Sequence, residues 1–135
     1  MDYLGRHLLA EFYKCSRETL DDENKISGIM TRAVEISKAT IIAPFFHKFS
    51  PQGVSGIIVI AESHLAIHTW PEHGYAAVDL FSCGDFDFTG ALKYIRDNLN
   101  AEKYSILSIK RGTDLNSSSD TPVEHFESQK IYLQE

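Results

Sequence analysis

Only two cysteines, Cys15 and Cys83, occur among the 135 residues. That is too few for the disulfide framework that staples small secreted domains, and both are expected to be thiols in a reducing compartment. Long apolar runs are missing as well. The longest, Gly56 to Ala61, is strand-sized and far short of the roughly 20 residues a membrane helix needs. The opening residues, Met1-Asp2-Tyr3-Leu4-Gly5-Arg6, lack the basic-then-apolar profile of a secretory signal, so a cytoplasmic protein is expected. Positive charge is scarce: 13 Lys and Arg against 19 Asp and Glu leave a net charge of −6. With no Lys/Arg stripe to offset that balance, a grip on nucleic acid is not expected. There is no internal repeat.

What is present suits one globular domain. A composition of 43% hydrophobic and 24% charged residues is ordinary for a soluble fold, and the length allows one buried core but not two. Gly5 to Tyr13 reads as a first strand. Arg17 to Ser37 has helical spacing, with Leu20, Ile26, Ile29, Met30, Ala33, Val34 and Ile36 recurring every three or four residues. Ser16 is a candidate N-cap, with a start nearer Asp21-Asp22 as the alternative. Thr40 to Phe49 is a second strand, Ser50-Pro51-Gln52-Gly53 a turn, and Val54 to Ile60 a third strand, β-branched almost throughout and expected to be buried on both faces.

From His64 the pattern alternates: His64, Ala66, His68 and Trp70 fall on one side, Leu65, Ile67 and Thr69 on the other. Pro71-Glu72-His73-Gly74 turns the chain, and Tyr75 to Phe81 returns as a strand. Phe88 to Leu99 reads as a second helix and Tyr104 to Ile109 as a last strand. This order predicts an α+β fold, a two-layer sandwich with a mostly antiparallel sheet and two helices packed on one face. Residues 112 to 120 read as a flexible linker. Beyond it, Phe126, Ile131, Tyr132 and Leu133 either dock back on the body or stay loose.

Residues 62 to 84 are dense in reactive side chains: Ser63 between Glu62 and His64, then His68, Glu72, His73, Asp79 and Cys83. Satisfied polar residues on a strand and its turn would account for any one of these histidines. Zinc ligation by His64, His68 and His73 with Glu72 or Asp79 suffers from spacing, since His64 and His68 on an extended strand stand about 13 Å apart. A hydrolase pairing Ser63 with His68 meets the same obstacle at roughly 16 Å. The two can meet only if the chain folds back or His68 comes from a second protomer.

The run Glu62-Ser63-His64-Leu65, Ile67-His68-Thr69-Trp70-Pro71-Glu72, Gly74-Tyr75-Ala76-Ala77-Val78-Asp79-Leu80-Phe81 and Cys83-Gly84 closely resembles bacterial and archaeal S-adenosylmethionine decarboxylases. The likeness extends upstream through Gly53-Val54-Ser55-Gly56 and Leu4-Gly5-Arg6-His7-Leu8, covering residues 4 to about 111. The tail after Arg111 is not covered.

The resemblance implies a proenzyme. The hydroxyl matching Ser63 attacks the carbonyl of Glu62 and turns the peptide bond into an ester. Elimination and loss of ammonia then leave a pyruvoyl group at position 63, and fragments 1–62 and 63–135. His68 matches the processing base that removes the α-proton, and Ser55 a residue that assists the same cleavage. The pyruvoyl carbonyl takes the substrate's α-amine as a Schiff base and accepts electrons as carbon dioxide leaves. Cys83 matches the proton donor of that step; on its residues alone it would pass for a buried structural thiol. Glu72 resembles the ribose-binding carboxylate. Phe49 and Trp70 are the aromatics expected against adenine, with core packing as the alternative for both. His64, His73 and Asp79 receive no step. The family pattern further implies a homodimer whose active sites take residues from both protomers, and a place in spermidine biosynthesis. Two rivals stand beside this reading. A pyruvoyl-dependent arginine or ornithine decarboxylase would have no use for Phe49, Trp70 and Glu72. An unprocessed paralogue would have no need of Ser63, His68 and Cys83 together.

Overall fold

Alternation of small and large apolar residues along Gly5–Tyr13 places Leu8, Ala10 and Phe12 on one face, and all three are buried. This strand, β1, is the fifth in the order of the sheet. In the computed structural model, which describes residues 3–84, 87–113, 115, 120 and 127–134, the other strands are β2 (Ile41–Lys48), β3 (Val54–Ile60), β4 (Ser63–Trp70), β5 (Tyr75–Ser82), β6 (Lys103–Arg111) and β7 (Ser128–Ile131). They form one antiparallel sheet in the order β2-β3-β4-β5-β1-β6-β7. Helices α2 (Glu23–Ser37) and α3 (Phe88–Asn98) contribute Ile26, Met30, Ala33, Leu92 and Ile95 to the same core as Phe12, Ile58, Ile67 and Val78. The predicted two-layer α+β sandwich, with its helices on one face, is the fold observed.

The long helix predicted over Arg17–Ser37 is two. A short α1 (Arg17–Leu20) is capped by Ser16, whose hydroxyl accepts from Thr19 N at 3.3 Å. Asp22 then caps α2 by accepting from Lys25 N at 3.1 Å. An Asp that can satisfy the free N–H groups of a new first turn makes a restart favourable where the periodicity alone reads through.

The third strand departs from expectation in burial. Val54, Gly56, Ile58 and Ile60 are buried, but Ile57 and Val59 are 38% and 42% exposed. β-branched composition reports a fit to a pleated surface and not the covering of both sides. Here the helices cover one side, and the other is bare.

The tail contributes β7, paired with β6 through Ser108↔Gln129 and Ile106↔Ile131. Leu133 is buried, its N–H donating to the Tyr104 hydroxyl at 2.8 Å, whereas Tyr132 is exposed. Phe126 and most of 112–120 lie outside the described residues. Among those described, no helix is long and apolar enough to cross a membrane.

Thr69 ties the end of the sheet to the helix layer. Its buried hydroxyl accepts from Val54 N at 2.8 Å and donates to the Leu20 carbonyl at 2.8 Å. Thr69→Val keeps the shape and strands both backbone groups. It should cost about 2 kcal/mol, read as a lower urea midpoint with an unchanged slope. An unaltered midpoint would show that water or a shifted backbone replaces the hydroxyl.

Candidate active site

The antiparallel register divides the residues of interest between the two ends of the sheet. At one end, Ser55 pairs with His68 across β3 and β4, and Trp70 pairs with Tyr75 across β4 and β5. At the other, Ser63 lies between Ile60 and Ser82. Five residues of extended strand separate the ends, roughly 16 Å. Ser63 and His68 therefore do not meet within this chain, as the spacing predicts.

At the first end the Ser55 hydroxyl and His68 Nδ1 share a hydrogen bond of 2.8 Å. Both open onto a hollow of about 400 Å³ lined also by Phe45, His47, Phe49 and Ile57. Phe49 is 47% exposed, and the His47 ring meets it edge to face at 4.5 Å between centroids. Trp70, 41% exposed, lies 5.3 Å from the Tyr75 ring. Neither aromatic is spent on the core. Glu72 sits in the short 3-10 turn Pro71–His73 and borders a second, open hollow of about 730 Å³ with Arg17, Asp21, Lys48 and Gln52.

The turn that carries Phe49 is anchored from the helix layer. Asp21 accepts from Gly53 N at 2.8 Å and pairs with Lys48 Nζ at 2.9 Å. Those contacts, the Gly53 N–H foremost, hold its carboxyl below the usual range. Gly53 has φ +106° and a Cβ there would stand 3.2 Å from the Thr69 carbonyl, so glycine is required. Its own carbonyl accepts from Phe49 N at 2.8 Å, which closes the turn.

At the second end, β3 and β4 are joined by the tight turn Ala61–Glu62. Glu62 is pinned from two sides: its side chain accepts from Thr40 N at 3.3 Å, and its carbonyl faces Cys83. Both the Cys83 N–H and the Cys83 thiol point at that carbonyl oxygen, each at 3.2 Å. The Ser63 hydroxyl, attached to the next residue, lies 3.5 Å from His64 Nδ1. The His64 ring stacks on Phe81 at 6.0 Å and 16°, and His7 meets both rings edge-on. Burial holds His7 below its ordinary proton affinity; Asp79 opposes that shift, and Arg111 and His64 add to it.

The two thiols have opposite surroundings. Cys83 is exposed, whereas Cys15 is buried and its pKa pushed up to about 11 by burial. The arrangement at the second end has what an acyl shift requires, namely a hydroxyl next to a carbonyl whose developing oxyanion already faces two donors.

Sequence reasoning missed Phe45 and His47. The signal was available, because 45, 47 and 49 recur with the period of two that puts side chains on one face. The pairing of Cys83 with the Glu62 carbonyl had no local signal, since 21 residues separate them. Elsewhere on the bare face the Tyr75 hydroxyl donates to Glu11, and burial, followed by that bond, raises its pKa.

Residues 6–112 match the family profile described as S-adenosylmethionine decarboxylase. The chain is similar to the S-adenosylmethionine decarboxylase proenzymes of Thermotoga maritima and Moorella thermoacetica, at 51% and 52% identity over 113 residues. Those alignments cover 83% of this chain and 87% and 90% of the relatives. The fold matches a crystal structure of the adenosylmethionine decarboxylase from Aquifex aeolicus VF5 with a TM-score of 0.78 at 33% identity, covering 89% of this chain and 100% of that one. A profile spanning most of the sequence, relatives sharing half their residues and one shared fold lead to a single conclusion: the chain belongs to the S-adenosylmethionine decarboxylase family.

Proposed function

We propose that the chain cuts itself between Glu62 and Ser63 and uses the resulting pyruvoyl end to decarboxylate S-adenosylmethionine, the step that makes the aminopropyl donor for spermidine. The observation that carries this reading is the Glu62 carbonyl, which accepts from two donors of Cys83 while the Ser63 hydroxyl stands one bond sequence away. Family membership and the proenzyme names of the relatives support it.

In this reading Ser63 Oγ adds to the Glu62 carbonyl carbon, and the oxyanion is held by the Cys83 N–H and thiol. The C–N bond breaks and an ester remains. His68 removes the α-proton of residue 63, Glu62 leaves as a carboxylate, and water releases ammonia. Ser55, bonded to His68 at 2.8 Å, orients that imidazole. A pyruvoyl group at position 63 supplies a carbonyl electron sink for the electron pair that carbon dioxide leaves behind. The residues present fit such a group, because an exposed thiol borders the position at which it would form. Cys83 returns a proton to the substrate's α-carbon, Glu72 accepts from the ribose hydroxyls, and Phe49 and Trp70 present π-faces to adenine and the sulfonium.

The division of these groups between opposite ends of one sheet is the argument for a homodimer. A two-fold axis that packs two bare faces together sets the Ser55–His68 end of one sheet over the Ser63 end of the other. It also covers Phe45, Ile57 and Val59, which are 68%, 38% and 42% exposed in the protomer. Each active site then takes Ser63 and Cys83 from one subunit and Ser55, His68, Phe49, Trp70 and Glu72 from its partner. We take residues 1–111 as the decarboxylase domain, cleaved at 62/63, and 112–135 as a tail. A cytoplasmic location suits two free thiols.

The test is an intact-mass spectrum under denaturing conditions, followed by release of carbon dioxide from carboxyl-labelled S-adenosylmethionine. Two fragments meeting at 62/63, the second lighter than its serine form and blocked to sequencing, are expected. A chain still whole after prolonged incubation would remove the cofactor and the activity from this reading.

A further inference from the structure

We propose that His64 is the base that takes the Ser63 hydroxyl proton in self-cleavage, an assignment that rests on the cleavage reading above. Opening the peptide bond calls for two proton movements at two sites. The α-proton of residue 63 is given to His68, but the hydroxyl must lose its own proton first, in the uncut chain. His68 lies five residues further along an extended strand and is bonded to Ser55. Among the described contacts of Ser63 Oγ, the titratable partner is His64, with Nδ1 at 3.5 Å.

Three features make His64 suited to the task. Neighbouring side chains in a regular strand point apart. Ser63, however, is the first residue of β4 directly after the Ala61–Glu62 turn, with φ +158°, and its hydroxyl meets the ring of the next residue. That ring is held in place, stacked on Phe81 with His7 edge-on at 6.3 Å, so the nitrogen does not have to be searched for by rotation. At 3.5 Å the contact stands at the outer limit of a hydrogen bond, and it has to tighten along the reaction, as catalytic contacts do.

The step balances within the chain. As the bond from Ser63 Oγ to the Glu62 carbonyl carbon forms, the hydroxyl proton passes to His64 Nδ1 and the oxyanion faces the Cys83 N–H and thiol. As the C–N bond breaks, the imidazolium returns its proton to the departing Ser63 nitrogen. The products are an ester and a neutral amine, with no other reactant consumed.

Hydroxylamine cuts esters and spares peptide bonds under mild conditions, which lets the two proton steps be separated. His64→Ala should slow splitting at 62/63 about 100-fold, and the uncut chain should resist hydroxylamine because no ester has formed. His68→Ala should also remain whole, but hydroxylamine should cut it at 62/63. His64→Asn retains a polar side chain without a basic nitrogen; it should be as slow as H64A while melting within a few degrees of wild type, which separates a chemical role from a structural one. Splitting of H64N at the wild-type rate would overturn the assignment. So would an H64A chain that hydroxylamine cuts, since the ester would then form without His64. A wild-type chain that never splits would remove the cleavage reading, and this assignment with it.

Discussion

Ser63→Ala leaves a single 135-residue chain with decarboxylation at background. The hydroxyl is the nucleophile carried on the residue that becomes the cofactor, and without it neither the ester nor the carbonyl electron sink is made. The loss should be complete, because a residual rate would need a different route to the same cofactor. The substitution should be nearly silent for the fold. Ser63 is half-buried and its hydroxyl contacts His64 at the limit of a hydrogen bond, so a change within about 0.5 kcal/mol is expected. Intact mass, a thermal melt and labelled carbon dioxide release measure the three parts. An S63A chain that still splits, or that still releases carbon dioxide, would sink the proposed chemistry.

Cys83 should separate into two functions. Its thiol is one of two donors on the Glu62 carbonyl, the other being its own N–H. Cys83→Ala removes the first donor and keeps the second. Self-cleavage should slow about 100-fold, the usual effect of one oxyanion donor, and should still reach completion on long incubation. Turnover by the cleaved enzyme should fall by about 100-fold or more, the contribution of a placed general acid. Cys83→Ser tells the two apart. A hydroxyl donates to the carbonyl about as well as a thiol, so cleavage should recover, but an alcohol is a far weaker acid and turnover should not. Equal recovery of both rates in C83S would deny the thiol a specific role in protonation. Wild-type rates in C83A would deny it any role.

Much of this site was legible along the chain because strands keep sequence neighbours in order. The period of two from His64 to Trp70 predicted which residues share a face, and His68 and Trp70 do lie opposite Leu65, Ile67 and Thr69 in burial. The same rise per residue made clear that Ser63 and His68 cannot meet within one extended strand. Helix boundaries were less legible. Asp22 ends the apparent run from Arg17 because a side chain can cap a new turn, a local effect that apolar spacing does not register.

Chain-distant contacts were beyond reach. Ile57 and Val59 look like interior residues by type, and only the placement of both helices on one side makes them surface. Cys83 meets the Glu62 carbonyl because β5 pairs with β4 in a register that sets Ser82 beside Ser63. The Asp21 anchor on Gly53 spans 32 residues and joins elements with no shared periodicity.

The sequence by itself determined the family, the antiparallel character of the sheet and the faces of β4, since each depends on residues close together in the chain. Only the tertiary structure decided which donors face the Glu62 carbonyl, which ring lies beside Ser63, and that Phe45, His47 and Phe49 share a hollow with Ser55 and His68. Strand register and layer packing set those relations, and both are properties of contacts between segments far apart in sequence.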